Sequence, residues 1–251
     1  MGTRFELVLA DASPERHRAA GEAALEEIES CHRRLTRFEP SGLPAHLARC
    51  RAGGPVPLDA DTFALLADAL AVWRVSGGAF DLTVPRCRMD AIVLDPVSRT
   101  VRLAVRDVVL DFGGIAKGHA LDLAAAVLRR AGVTAAFLHG GTSSAVGIGP
   151  PLVSAGEPAL GWRVALGRGA GAPTVTLRDE ALSISAVWKG NPHPTMDPRT
   201  GRPLAGGEGG ARRVAVVGPS ARLADAWSTA LLVTGKRPAA LGPDWRTWIE
   251  S

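Results

Sequence analysis

The segment Asp111-Phe112-Gly113-Gly114-Ile115-Ala116-Lys117-Gly118-His119-Ala120-Leu121-Asp122 constrains this chain more than any other. The apolar run Val108–Leu110 before it reads as a strand. Ala116–Arg130 after it is an amphipathic helix ended by Gly132. Paired glycines at such a break let backbone amides converge on an anion at the positive end of the helix. Lys117 adds charge at the same place. A phosphate cradle and a tight turn with a solvated lysine both satisfy this pattern. Two look-alikes do not. The Asp-Phe-Gly triplet lacks the catalytic loop and lysine strand of a kinase. Gly113 and Gly118 have P-loop spacing, but His119 stands where that motif needs lysine.

Around this segment the chain mixes strands and helices without strict alternation, which favours an α+β fold. Arg4–Leu9 alternates like a strand, and Ser13-Pro14 starts a helix with apolar positions at Ala20, Ala24, Ile28 and Leu35. Residues 39–57, rich in Pro and Gly, read as an irregular surface segment. Asp59 or Asp61 caps a helix with Phe63, Leu66, Leu70 and Trp73 on one face, stopped by Gly77-Gly78. Strands are predicted at Ile92–Leu94, Thr100–Val105, Thr134–Leu138, Ala145–Ile148, Trp162–Leu166, Thr174–Leu177, Ala181–Ser185 and Arg213–Val217. A last helix, Ala221–Val233, closes at Gly235, making three or four helices in all. One domain over residues 1–251 is expected, with a Gly-rich loop near Ala205–Gly210.

Composition excludes several classes. The net charge of +4 and pI near 9.5 come with only 5% aromatic residues. Basic residues are scattered arginines rather than a patch, so no nucleic-acid partner is expected. Cys31, Cys50 and Cys87 are too far apart for a zinc or disulfide framework. No apolar run reaches the length of a transmembrane segment. Without a recognisable leader or lipobox, the expected compartment is the cytoplasm, or the periplasm or cell surface if a leader was removed.

Three further segments carry chemistry. His139-Gly140-Gly141-Thr142-Ser143-Ser144 follows an apolar strand and suits either a polar ligand or an ordinary turn. His193-Pro194-Thr195-Met196-Asp197-Pro198-Arg199-Thr200-Gly201 is a good turn with a nearby imidazole and guanidinium. In Ala224-Asp225-Ala226-Trp227-Ser228-Thr229, the Asp225 and Thr229 side chains leave one helix face. A carboxylate and a hydroxyl there suit a hard cation. They equally suit an exposed helix-start acid favoured by the dipole.

The order of these segments, from Gly2-Thr3 through Gly78-Ala79-Phe80-Asp81-Leu82-Thr83 to Ala224–Thr229, closely resembles the ApbE family of FAD:protein FMN transferases. The resemblance implies a T-fold-related α+β architecture of two interlocked lobes with FAD in the cleft between them. It implies Mg2+ on the pyrophosphate, held by Asp225, Thr229 and a backbone carbonyl near Ala116. Gly78, Ala79, Phe80, Asp81 and Thr83 would line the nucleotide pocket. Asp111, Gly113, Gly114, Lys117, Gly140, Gly141, Thr142, Ser185, His193, Asp197, Arg199 and Thr200 would surround the flavin and phosphates. Lys117, Asp225 and His193 would serve catalysis, His193 taking a proton from a threonine of the acceptor protein. The chain departs from the family pattern at Ser41-Gly42-Leu43, at Thr142 and at Ser185-Ala186. An FAD pyrophosphatase and a non-catalytic FAD-binding protein are the alternatives.

Overall fold

The computed structural model describes residues 3–10, 14–50, 54–83, 87–105, 107–151, 159–167, 169, 171–188, 194–204 and 210–251. Gly2, Ser13, His193 and residues 205–209 of the Gly-rich loop lie outside the described residues. In chain order the elements are β1 (Phe5–Leu9), α1 (Pro14–Leu35), α2 (Leu43–Arg49), β2 (Val56–Pro57) and α3 (Ala60–Val75). Then come β3 (Ile92–Asp95), β4 (Thr100–Leu103), α4 (Ala116–Arg130), β5 (Ala136–Gly140) and β6 (Ser144–Ile148). The rest are β7 (Trp162–Ala165), β8 (Thr174–Leu177), β9 (Glu180–Ala186), β10 (Met196–Asp197), β11 (Arg202–Pro203), β12 (Arg213–Gly218), α5 (Ala221–Thr234) and β13 (Arg246–Glu250).

Six strands form one antiparallel sheet in the order β1-β5-β6-β9-β12-β13. Its two faces are both covered, and β12 shows how. Val214 and Val216 join the main core under the helices, while Ala215 and Val217 face a second cluster with Leu166, Val175 and Leu177 of the β7–β8 hairpin. Alternation of apolar residues on both faces is what a central strand buried from two sides requires. α4 and α5 lie against each other and against the sheet, and α1 packs on α4. A small sheet, β2-β4-β3, stands apart from the large one.

Local chemistry explains the helix ends. Asp59 caps α3 by accepting from the Thr62 amide at 2.8 Å. Ser220 caps α5, and Gly235 closes it in the left-handed region at φ +64°. Ala20, Ala24, Ile28 and Leu35 are all buried, as the spacing of α1 predicts.

Several expectations need correction. Five α-helices are present among the described residues, because Leu43–Arg49 forms a helix inside the segment read as irregular. Pro44 occupies its first turn, where the missing amide costs nothing. Val108–Leu110 joins no described sheet, and Val108 and Leu110 are buried in a connecting segment. The buried face of α3 is Leu65, Leu66, Ala69, Leu70 and Val72, leaving Phe63 and Trp73 half-buried. The strand β13 was not expected at all.

Candidate functional site

A cleft of about 750 Å³ opens where the start of α4, the Ala79–Leu82 segment, the end of β9, the entry to β10 and α5 converge. Its position follows from the crossing of α4 and α5. A side chain at Gly118 would collide with the Ala221 carbonyl, so only glycine lets the two helices approach this closely. Asp122 of α4 accepts from the amides of Ala221 and Arg222 at 2.8 and 2.9 Å and from Ser220 Oγ at 2.8 Å. It therefore satisfies the open amides at the start of α5. Asp225 of α5 reaches back and accepts from the Gly118 amide at 3.1 Å.

Asp225 is 2% exposed, so the reading of an exposed helix-start acid is overturned. A buried carboxylate needs charge compensation and hydrogen bonds. Lys117 Nζ, 3.4 Å from Oδ1, supplies the first, and Ser183 Oγ donates to the same oxygen at 3.1 Å. Thr229 Oγ1 donates to the Asp225 main-chain carbonyl at 3.1 Å. Lys117, Asp225 and Thr229 all line the cleft. Gly114 backs them closely, since a Cβ there would stand 3.2 Å from Thr229 Oγ1 and 3.3 Å from Phe80.

The remaining residues named from sequence divide into two groups. Ala79, Phe80, Asp81, Asp111, Gly113, Gly114 and Ser185 also line the cleft. Burial pushes the Asp81 carboxyl up, although it accepts from the Thr83 hydroxyl and amide. Thr83 itself is buried behind Asp81, and Ala116 is buried at the first position of α4. Gly78, at φ +82°, closes α3 with its amide on the Trp73 carbonyl. Gly141 and Thr142 line a separate hollow of about 210 Å³ beside β5 and β6, and Gly140 packs against the Phe5 ring. Arg199 bonds Asp197 through its amide, Nε and Nη2, which holds the Asp197 carboxyl below its usual range. Arg199 lines a different pocket, with Trp227 and Lys236. Thr200 lies in the same turn, so the cleft meets this region through Pro194, Thr195, Met196 and Pro198 instead.

Several amides of the Asp111–Asp122 segment bond within the protein. Gly113 donates to Asp111 Oδ1, Ile115 and Ala116 to the Phe112 carbonyl, and Gly118 to Asp225. These amides shape the turn, and Lys117 supplies the positive charge. Sequence reasoning missed Arg37, Ile184 and Trp188 in the cleft wall. Arg37 is ion-paired to Asp111 at 3.3 Å, and Trp188 is 61% exposed at the cleft. A tryptophan just past the predicted strand Ala181–Ser185 was the one available signal.

Among the described residues, no group of three or more His, Cys, Asp or Glu side chains could hold a metal by itself. No described helix is long and apolar enough to cross a membrane.

Several solved structures share this fold. The flavin transferase ApbE from Vibrio cholerae superposes with a TM-score of 0.76 at 17% identity, covering 100% of this chain and 94% of that one. The ApbE protein from Thermotoga maritima gives 0.74 at 23% identity, covering 92% and 82%. The apo flavinyl transferase ApbE from Pseudomonas stutzeri gives 0.73 at 23% identity, covering 100% and 92%. Comparison with curated proteins finds no significant match. The sequence matches the ApbE family over residues 1–89 and 84–241, nearly its whole length. This chain belongs to the ApbE family.

Proposed function

We propose that this protein is a transferase that moves FMN from FAD to a threonine of an acceptor protein, using magnesium and releasing AMP. Family membership supports flavin transfer in general. The observation that carries the finer reading is Asp225, a buried carboxylate opening onto a cleft beside a lysine and a threonine hydroxyl.

The donor set fits a hard cation. Asp225 receives three hydrogen bonds from Lys117, Ser183 and Gly118, whereas an ionised carboxylate offers about four acceptor sites. Thr229 donates its proton to a carbonyl, which leaves its oxygen lone pairs for a metal. Asp225, Thr229 and the Ala116 carbonyl would hold the ion, which when bound supplies Lewis-acid neutralisation of the pyrophosphate charge. Lys117 adds a second positive charge on the same side. In the transfer, the threonine oxygen forms a bond to the FMN-side phosphorus. The phosphorus–oxygen bond to AMP breaks, and AMP leaves with that electron pair. The hydroxyl proton passes to His193, whose imidazole can accept one near neutral pH.

The test is intact-protein mass spectrometry of a threonine-bearing acceptor domain incubated with this protein, FAD and magnesium. A mass gain of one FMN, lost on chelation of magnesium and with Asp225→Asn, is expected. FAD consumed to FMN and AMP without labelling would instead identify a pyrophosphatase. Binding without turnover would identify a flavin-binding protein.

A further inference from the structure

Behind the cleft wall a line of hydroxyls runs from Ser185 to Asp225. Ser185 Oγ, in the wall, is 2.8 Å from Ser228 Oγ. Ser228 Oγ is 3.1 Å from Ser183 Oγ, and Ser183 donates to Asp225 Oδ1 at 3.1 Å. Ser183 and Ser228 are 1% and 0% exposed, so water does not satisfy them. The line exists because β9 lies against α5, placing alternate β9 residues Ser183 and Ser185 beside one helical turn.

Each hydroxyl owns one proton, and a carboxylate only accepts. Ser183 therefore spends its proton on Asp225, which makes its oxygen a better acceptor. Ser228 has two acceptors on that side, Ser183 Oγ and the Asp225 carbonyl at 3.0 Å. Its proton goes inward. The short Ser185–Ser228 bond then takes its proton from Ser185, and Ser185 turns lone pairs alone toward the cleft.

We infer that Ser185 is a hydrogen-bond acceptor with its polarity set by Asp225, and that it binds a polyol hydroxyl of FAD next to the pyrophosphate. This inference rests on the proposed FAD substrate. Ionised phosphate oxygens are acceptors and have nothing to give Ser185. The attacking threonine needs its proton for the base. The hydroxyls of the flavin's ribityl chain and of the adenosine ribose are the donors left within a few bonds of the phosphates. The cleft is thus polarised: Lys117 takes the anionic part of the ligand and Ser185 takes a hydroxyl.

Calorimetric titration with FAD, FMN, AMP and inorganic pyrophosphate, each with magnesium, tests this. Ser185→Ala is expected to weaken FAD about tenfold. Ser183→Ala, which removes a hydroxyl outside the cleft wall, is expected to weaken it about threefold to tenfold. The double variant should bind FAD no worse than Ser185→Ala, and Ser185→Thr should restore affinity. Pyrophosphate should bind Ser185→Ala and Ser185→Thr as it binds the unsubstituted chain. A loss shared by FMN points to the ribityl chain, and one shared by AMP to the ribose. Unchanged FAD affinity in a folded Ser183→Ala, additive losses, or weakened pyrophosphate binding to Ser185→Ala would each overturn the inference alone. If Ser183→Ala does not fold, the pyrophosphate comparison on Ser185→Ala decides. Failure of the unsubstituted chain to bind FAD would overturn the proposed function and this inference with it.

Discussion

Two aspartates join the same pair of helices in opposite directions. Asp122 reaches from α4 into the start of α5, and Asp225 reaches from α5 to α4 at Gly118. Asp122 spends both oxygens on two rigid amides and a capping hydroxyl. Asp225 holds one amide, one lysine and one serine, and lines the cleft. The same residue type at one crossing is thus a clamp on one side and a cleft-facing group on the other. What separates them is which partners are fixed backbone and which are side chains free to exchange.

Asparagine at each position breaks the comparison most sharply. In Asp122→Asn an NH2 must face a backbone N–H, so stability should fall by about 2–4 kcal/mol, on the order of 5–15 °C in melting temperature. FAD affinity of the folded molecules should be retained. In Asp225→Asn the amide oxygen can still take the Gly118 N–H while Ser183 rotates. The melting temperature should fall less, and FMN transfer should fall at least about 100-fold, as removal of a key electrostatic group does. Equal melting losses would erase the distinction.

Gly118→Ala tests the crossing itself. Its methyl group meets the Ala221 carbonyl, so unfolding stability should drop by about 1–3 kcal/mol, read by urea denaturation.

His119, next to Gly118 and 1% exposed, separates stability from the site by pH. Neither ring nitrogen has a partner, and burial, with Arg222 and Arg34 adding to it, lowers its pKa to about 3. Between about pH 6.5 and 3 the unfolded chain binds a proton that the fold does not. Its share of stability is therefore lost as pH falls through that window, at up to about 1.4 kcal/mol per pH unit. Melts from pH 7 to 4 should show a shallower slope for His119→Leu.

The smallest effect belongs to Asp197, held below the usual carboxylate range by Arg199. Its contribution is complete above the ordinary carboxylate pKa and is lost as pH falls through the depressed one. Asp197→Asn should lower the melting temperature slightly near neutrality and converge with the parent at strongly acidic pH.

Much of this fold is legible in the sequence where one element carries its own signal. Ala116–Arg130 is a helix at the predicted bounds because its apolar stripe and closing glycine are local. Leu43–Arg49 is too short for its periodicity to stand out among prolines and glycines. Val108–Leu110 has strand composition but no partner strand among the described residues, and pairing is not written in composition. At the site, the motif spacing exposed Asp225 and Thr229 as one face of α5. Ser183 and Ser228 carried no signal, since their meeting depends on how β9 packs against that helix. Arg199 is the opposite case, a charge the structure places locally on Asp197.

The cleft draws its walls from segments as distant as Arg37 and Thr229. No short fragment of the chain contains it, so occupancy and cooperative unfolding are thermodynamically linked. A ligand present at 100 times its dissociation constant would raise the unfolding free energy by about 2.7 kcal/mol. The protein's lifetime against heat or proteolysis would then track the supply of its own substrate.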